Sequence, residues 1–143
     1  MRNLLFILTM LLVCPTSNAA LEEQRAALER ARVLWKNHAY PSYLYKAKSA
    51  GNFGGDKMTV VVRNGKCVTA YHREHFRKIP DECDLYTIER LFMDIEQDIQ
   101  EEPQILEVTY DPTRGFPTHI VVRGTGLTDN DWFFDMEYVR PIK

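Results

Sequence analysis

A strand, a tight turn and a second strand are predicted by the segment Val108-Thr109-Tyr110-Asp111-Pro112-Thr113-Arg114-Gly115-Phe116-Pro117-Thr118-His119-Ile120-Val121-Val122. Asp111 offers a carboxylate to the backbone amides of the turn, and Pro112 fixes its own φ. Gly115 tolerates the positive φ that closes such a hairpin. Pro117 stands at the first position of the return strand, where proline is tolerated. Turn chemistry explains each of these residues, so the segment indicates a fold rather than a catalytic site.

Two further segments have the apolar spacing of amphipathic helices. The first extends from Leu21 to about His38, with acidic side chains early and basic ones late, and Pro41 follows it. The second begins after Thr87, which is suited to the N-cap, and Glu89 lies in its first turn. The carboxylates of this second helix all lie opposite its apolar face. We therefore interpret them as a solvated face and not as an acid/base pair.

Alternation of apolar and polar residues predicts six strands. They are Tyr43–Lys48, Met58–Arg63, Lys66–Tyr71, Ile105–Tyr110, Thr118–Arg123 and Asp131–Arg140. The dipeptide Asn64-Gly65 favours a tight hairpin, because both turn positions need positive φ. The chain is therefore predicted to be an α+β domain, with two helices packed on one face of a mostly antiparallel sheet of about six strands. A helix followed by three strands occurs twice, which suggests an internal duplication.

The last predicted strand has two dissimilar faces, because neighbouring side chains of a strand point to opposite sides. On strict alternation one face carries Trp132, Phe134, Met136 and Tyr138. The opposite face carries Phe133, Asp135, Glu137 and Val139. We expect the first set to face the core and the second set to be mixed in character.

The N-terminal residues predict export. Arg2 precedes an apolar run from Leu4 to Val13, and Ser17-Asn18-Ala19 has the small-x-small pattern of a signal-peptidase site. We expect a signal peptide over residues 1–19 and a single α+β domain over residues 20–143, in the periplasm or secreted. The alternatives are an uncleaved anchor and an outer-membrane lipoprotein with lipid on Cys14. Val13 disfavours the lipoprotein, since the position before a lipidated cysteine normally holds Gly, Ala or Ser.

Export decides how the cysteines are interpreted. Removal of Cys14 leaves Cys67 and Cys83, an even number in an oxidising compartment, which predicts a disulfide. A structural zinc site is disfavoured, because two thiolates are too few and the chain has no Cys-x-x-Cys motif.

Composition and motif spacing disfavour other partners. The chain has 143 residues with 18 basic and 20 acidic side chains, so no basic excess favours nucleic acid, and no segment after the N-terminus is long and apolar enough for a membrane span. The residue types of His72, Glu74 and His75 suit a metal. However, they lack the helical spacing that would hold both rings on one side, so we predict a solvated loop. No cofactor is predicted.

Several motifs together resemble a known group of proteins. They are Trp35 in the first helix, Tyr43-Leu44-Tyr45, the hairpin Val60–Val68, Thr87–Phe92 and the pattern Val108-x-Tyr110-Asp111-x-x-x-Gly115-Phe116-Pro117-x-x-Ile120. The set resembles an uncharacterised family of small exported bacterial proteins, many of them described as lipoproteins. The resemblance implies no catalytic residue. Members of that family often have a cysteine in the loop after the first strand, where this chain has Gly51–Gly55, so a second disulfide is not implied.

Three functions remain as hypotheses. The first is a non-catalytic interaction module that binds an envelope protein, a peptide or a cell-wall component through the outer face of the sheet. Its candidate binding residues are His119, Arg123, Phe133, Asp135 and Glu137. The second is a small-ligand carrier, with a cavity lined by the aromatic residues Trp35, Tyr43, Tyr45 and Trp132. The third is a hydrolase that uses His119 with Asp135 or Glu137 as its acid/base pair.

Overall fold

The computed structural model describes residues 18–51, 55, 57–72, 77–78, 83–124 and 131–143. The predicted signal peptide lies outside these residues except for Asn18 and Ala19, which belong to the first helix. Cys14, the lipidation alternative, also lies outside them. So do Glu74 and His75 of the metal-ligand hypothesis.

Two α-helices are present, as the sequence predicts. Helix α1 comprises Asn18–His38 and helix α2 comprises Ile88–Gln100. Thr87 is the N-cap of α2, where its side chain accepts a hydrogen bond from the Arg90 amide over 3.2 Å. A 3₁₀-helix over Cys83–Tyr86, which the sequence did not predict, leads into α2.

The strands form one antiparallel sheet. They are β1 (Tyr43–Ala50), β2 (Lys57–Arg63), β3 (Lys66–His72), β4 (Arg77–Lys78), β5 (Ile105–Tyr110), β6 (Pro117–Arg123) and β7 (Trp132–Pro141). Their order across the sheet is β4-β3-β2-β1-β7-β6-β5, and every neighbouring pair is antiparallel. Six strands match the predicted ones, while the two-residue β4 falls in a segment that we interpreted as a loop. The predicted fold class, α+β with two helices and an antiparallel sheet, is confirmed.

The sheet order does not confirm the predicted duplication. The two presumed units meet where β1 pairs with β7. This contact joins the first strand of one unit to the last strand of the other. Because all the intervening pairs are antiparallel, β1 and β5 run in opposite directions. A simple repetition of one helix-plus-three-strand unit would not produce this arrangement.

The core lies between the helices and one face of the sheet, which we call the inner face. Alternate residues of β1, including Tyr43, Tyr45 and Ala47, are almost fully buried there. Helix α1 contributes Leu28 and Trp35. The apolar face of α2 is also buried, through Ile88, Leu91, Phe92, Ile95 and Ile99. Two amphipathic helices therefore cover a single face of the sheet, because each has one apolar face to bury.

Strand β7 departs from strict alternation. Its register with β1 shifts, so that Lys46 is opposite Tyr138 but Ala47 is opposite Met136. The extra residue, Glu137, is a β-bulge that reverses the side-chain direction beyond it. The prediction that Tyr138 faces the core is therefore wrong, since Tyr138 is exposed. Val139, which we placed on the opposite face, packs against the core instead.

The turn between β5 and β6 forms as the sequence predicts. The Asp111 carboxylate accepts hydrogen bonds from the amides of Thr113 and Arg114, over 3.0 and 2.6 Å. Gly115 has a φ of 82°, and a Cβ atom there would overlap the carbonyl oxygen of Ala31 in α1. The turn thus packs directly against α1, and only glycine permits that approach.

The predicted disulfide between Cys67 and Cys83 is present. It joins β3 to the 3₁₀-helix, with the two Cα atoms 5.5 Å apart. That separation is typical of disulfide bonds. Among the described helices, none combines the length and the apolar character needed to cross a membrane.

Candidate functional site

The second face of the sheet, which we call the outer face, carries all five predicted binding residues. His119 and Arg123 lie on β6, whereas Phe133, Asp135 and Glu137 lie on β7. Antiparallel pairing sets His119 opposite Asp135 and Val121 opposite Phe133. The fold therefore brings His119 and Asp135 together, whereas Arg123 and Glu137 lie toward opposite ends of the paired strands.

His119 and Asp135 form a side-chain pair on the outer face. The imidazole Nδ1 of His119 is hydrogen-bonded to a carboxylate oxygen of Asp135. The side chains are 40% and 46% exposed, so the pair is open to water. Thr109, opposite His119 on β5, shares a hydrogen bond with Thr118. Strong acid/base or electrostatic catalysis depends on a preorganised site that excludes water. The His119–Asp135 pair is exposed to water and does not lie in such a site.

Val121 and Phe133 form an apolar pair beside that polar one. Both side chains are half-buried on the outer face. Arg123 follows on β6 and is exposed, and the described part of the chain contains no ion-pair partner for it. An aromatic group next to an accessible guanidinium is a common composition for protein recognition surfaces.

Two contacts of the outer face were missed by sequence reasoning. The ammonium group of Lys46 lies 5.6 Å from the ring centre of Tyr138, a cation–π distance. Lys48 Nζ lies 4.0 Å from a carboxylate oxygen of Glu137. Both contacts depend on the pairing of β1 with β7 and on the bulge, and no local pattern in the sequence indicates either.

A cavity of about 250 Å³ opens where β1 ends, β6 ends and β7 begins; we call it the strand-end cavity. Ala50, Val121 and Phe133 line it from the outer face, and Trp132 lines it from the inner face. Arg123 and Asp131 also line it. His119, Asp135 and Glu137 are not among the lining residues. The cavity therefore shares Phe133 and Arg123 with the predicted site.

Gly51 fixes one side of the strand-end cavity. Its φ is 88°, and a Cβ atom there would lie 2.8 Å from Cβ of Trp132 and would overlap the carbonyl oxygen of Asp131. The backbone after β1 thus approaches the start of β7 as closely as glycine allows.

All four aromatic residues of the carrier hypothesis are buried in the core. Trp35 and Tyr43 are in edge-to-face contact, with ring centres 5.5 Å apart, and both donate hydrogen bonds to Glu89. Tyr45 donates to the carbonyl oxygen of Tyr86 over 2.6 Å. The fourth, Trp132, lines the strand-end cavity. Burial raises the pKa of the Tyr43 and Tyr45 hydroxyl groups, so both stay protonated hydrogen-bond donors.

Trp132 connects the strand-end cavity to α2. Its indole Nε1 donates a hydrogen bond to the Asp98 carboxylate over 3.1 Å. Partial burial raises the pKa of Asp98 to about 7, against the smaller lowering effect of this hydrogen bond. Within the described residues, no group of three His, Cys, Asp or Glu side chains could hold a metal ion.

Comparison with protein families accounts for most of the chain. The model of DUF6174, a family of unknown function, matches residues 27–141. This chain belongs to that family. The matched residues contain α1 from Ala27 onward, the whole of α2 and every strand that the structure describes. Searches of the curated proteins and of the solved structures found no match. Membership in DUF6174 therefore confirms an uncharacterised family and assigns no activity.

Proposed function

We propose that this DUF6174 protein is a non-catalytic interaction module of the bacterial cell envelope, and that it binds a partner through β6 and β7 on the outer face. One observation carries the proposal. Phe133 and Val121 form an apolar pair directly beside an exposed cation, on the face that the helices leave uncovered. Partly exposed apolar groups with a polar surround are typical of recognition surfaces.

The polar neighbours of that apolar pair favour binding over catalysis. The His119–Asp135 pair is open to water, and neither residue lines the strand-end cavity. The Lys48–Glu137 pair is also partly exposed. Such rim charges contribute specificity and association rate more than affinity. Binding energy would therefore come from the apolar centre, with Phe133 as the anchor.

Site-specific photo-cross-linking tests the proposal. The full chain is expressed in the bacterium that encodes it. Phe133→benzoylphenylalanine should give a discrete cross-linked species on irradiation. Val68→benzoylphenylalanine, at an exposed position of β3, is the matched control and should give none. Equal cross-linking at the two positions, or none at Phe133, would overturn the proposal.

Export is a separate part of the proposal and has its own measurement. The apolar run before Ser17-Asn18-Ala19 supports cleavage after Ala19. The intact mass of protein isolated from the envelope should correspond to a chain that begins at Ala20. A mass that includes Met1 or a diacylglyceryl group on Cys14 would replace this proposal with an anchored protein.

A further inference from the structure

The strand-end cavity has a size that limits its occupant. Its volume is about 250 Å³. Pockets for drug-sized ligands or cofactors are typically ~300–1,000 Å³. The strand-end cavity falls below that range and is partly open to solvent. Its dimensions suit one large side chain inserted from a partner surface better than a free small molecule.

The walls of the strand-end cavity indicate what kind of side chain fits. The Phe133 ring and the side chain of Val121 form an apolar surface on neighbouring strands. Ala50, opposite Phe133 on the other side of β7, leaves space because its side chain is a single methyl group. An aromatic ring can meet Phe133 edge-to-face or offset-stacked, which adds to the burial of apolar area.

The lining of the strand-end cavity carries one charge of each sign, the cation of Arg123 and the carboxylate of Asp131. The Asp131 carboxylate already accepts a hydrogen bond from the Gly124 amide over 2.9 Å. Elsewhere on the outer face, His119 is hydrogen-bonded to Asp135, and Lys48 Nζ lies 4.0 Å from a carboxylate oxygen of Glu137. Arg123 has no such ion pair within the described ranges. Its planar guanidinium group is suited to a two-point contact with a carboxylate.

We infer that the strand-end cavity binds an aromatic side chain of a partner polypeptide, and that an adjacent Asp or Glu of the partner pairs with Arg123. The inference rests on the proposed interaction function and names the chemistry of the partner. The aromatic ring lies between Phe133, Val121 and Ala50. The carboxylate outside it contacts Arg123, and the two groups together select the sequence of the partner.

A display library of random heptapeptides tests this inference against the purified full domain. The enriched peptides should contain Phe, Tyr or Trp next to Asp or Glu. The selected peptide should bind Arg123→Gln at least tenfold more weakly, because the cation is lost. Ala50→Leu should weaken binding by a similar factor, because the leucine fills the cavity. Val68→Ser, at an exposed position of β3 away from β6 and β7, is the matched control and should leave affinity within twofold.

A double-mutant cycle, with one change in the peptide and one in the protein, makes the test specific for Arg123. Replacing the acid of the peptide by its amide should weaken binding to the wild-type domain but not to Arg123→Gln. Arg123 is exposed, so this variant should fold normally, which thermal denaturation checks. Equal effects of the amide on both proteins would overturn the inference, as would enrichment of peptides without an aromatic–acid pair or of none at all.

The outcomes distinguish this inference from the proposed function. If the cross-link at Phe133 forms but peptide affinity is unchanged in Arg123→Gln and Ala50→Leu, the outer face is an interaction surface and the cavity is not the part that anchors the partner. If the cross-link fails as well, both are wrong.

Discussion

At the residue scale, the carboxyl group of Asp98 is in an environment that favours its protonated form. Burial is the main cause, and the negative charges of Glu101 and Asp94 add to it. The pKa of Asp98 is about 7 in the folded protein, whereas an unfolded aspartate has a pKa of ~3.9. The folded protein thus holds a proton that the unfolded chain releases between these pH values. The resulting stability is complete below about pH 4 and is lost as the pH rises through about 7.

Asp98→Asn tests this linkage. The amide oxygen of asparagine can still accept the hydrogen bond from Trp132, but the group carries no charge at any pH. We expect the variant to be more stable than the wild type at pH 8 by about 1 kcal/mol, a value reduced for the partial exposure of the group. The difference should shrink toward pH 4. Urea denaturation at pH 8, 6 and 4 measures it, and a difference that does not vary with pH would contradict the assignment.

The hydroxyl group of Tyr43 has two partners at the start of α2. It accepts a hydrogen bond from the Ile88 amide over 3.0 Å and donates one to Glu89 over 3.3 Å. Tyr43→Phe would leave that buried amide without a partner, at a cost of about 1–3 kcal/mol. Tyr138→Phe, on the outer face, keeps the ring beside Lys46 and should change stability by less than about 0.5 kcal/mol. Equal losses in urea denaturation would show that the Tyr43 hydroxyl contributes nothing specific.

At the scale of elements, the β5–β6 hairpin depends on one glycine for its contact with α1. A Cβ atom at Gly115 would overlap the Ala31 carbonyl oxygen and lie 2.9 Å from Cβ of Leu34. Gly65, in the β2–β3 turn, has a similar φ of 75° but open space around it. We expect Gly65→Ala to cost about 1 kcal/mol, from backbone strain alone. Gly115→Ala should cost about 3 kcal/mol or more, because the hairpin and α1 must separate.

Measured unfolding free energies of these two variants test the role of the hairpin. The similar φ values make Gly65→Ala a direct control for conformational strain. Equal destabilisation by the two substitutions would mean that the contact with α1 adds nothing.

Most elements were predictable from the sequence because their signals are local. The turn residues of the β5–β6 hairpin and the cap at Thr87 act within a few positions of the chain. The bulge at Glu137 was not predictable, since it arises from pairing with β1, a strand distant in sequence. The strict alternation therefore misplaced Tyr138 and Val139. The two-residue β4 carries too little pattern to distinguish it from a loop.

The candidate site was predictable only in part, for the same reason. His119, Val121, Phe133 and Asp135 lie on strands that are successive in the chain, so their proximity follows from a hairpin-like arrangement. Contacts that involve β1 do not follow, because β1 reaches the centre of the sheet from the other half of the chain. The strand-end cavity needs Ala50 and Gly51 beside Asp131, and only the assembled sheet brings them together.

At the scale of the whole molecule, the disulfide connects the half of the sheet formed early in the chain to the start of α2. Cys67 lies on β3, and Cys83 begins the 3₁₀-helix that leads into α2. The Asp84 carboxylate accepts a hydrogen bond from the Cys67 amide over 3.2 Å, so a non-covalent contact joins the two segments beside the covalent bond. The disulfide is therefore expected to stabilise a fold that the other contacts already define.

Reduction of the disulfide tests this expectation in the complete domain. Opening a loop with a sequence separation of 16 residues should lower the free energy of unfolding by about 3 kcal/mol. The double variant Cys67→Ser/Cys83→Ser should show the same loss and no further response to dithiothreitol. Because the effect acts largely on the unfolded chain, native-state circular dichroism should stay unchanged. If dithiothreitol does not change the unfolding free energy of the wild-type protein, the disulfide contributes no stability. Loss of the native spectrum on reduction would instead show that the disulfide defines the fold.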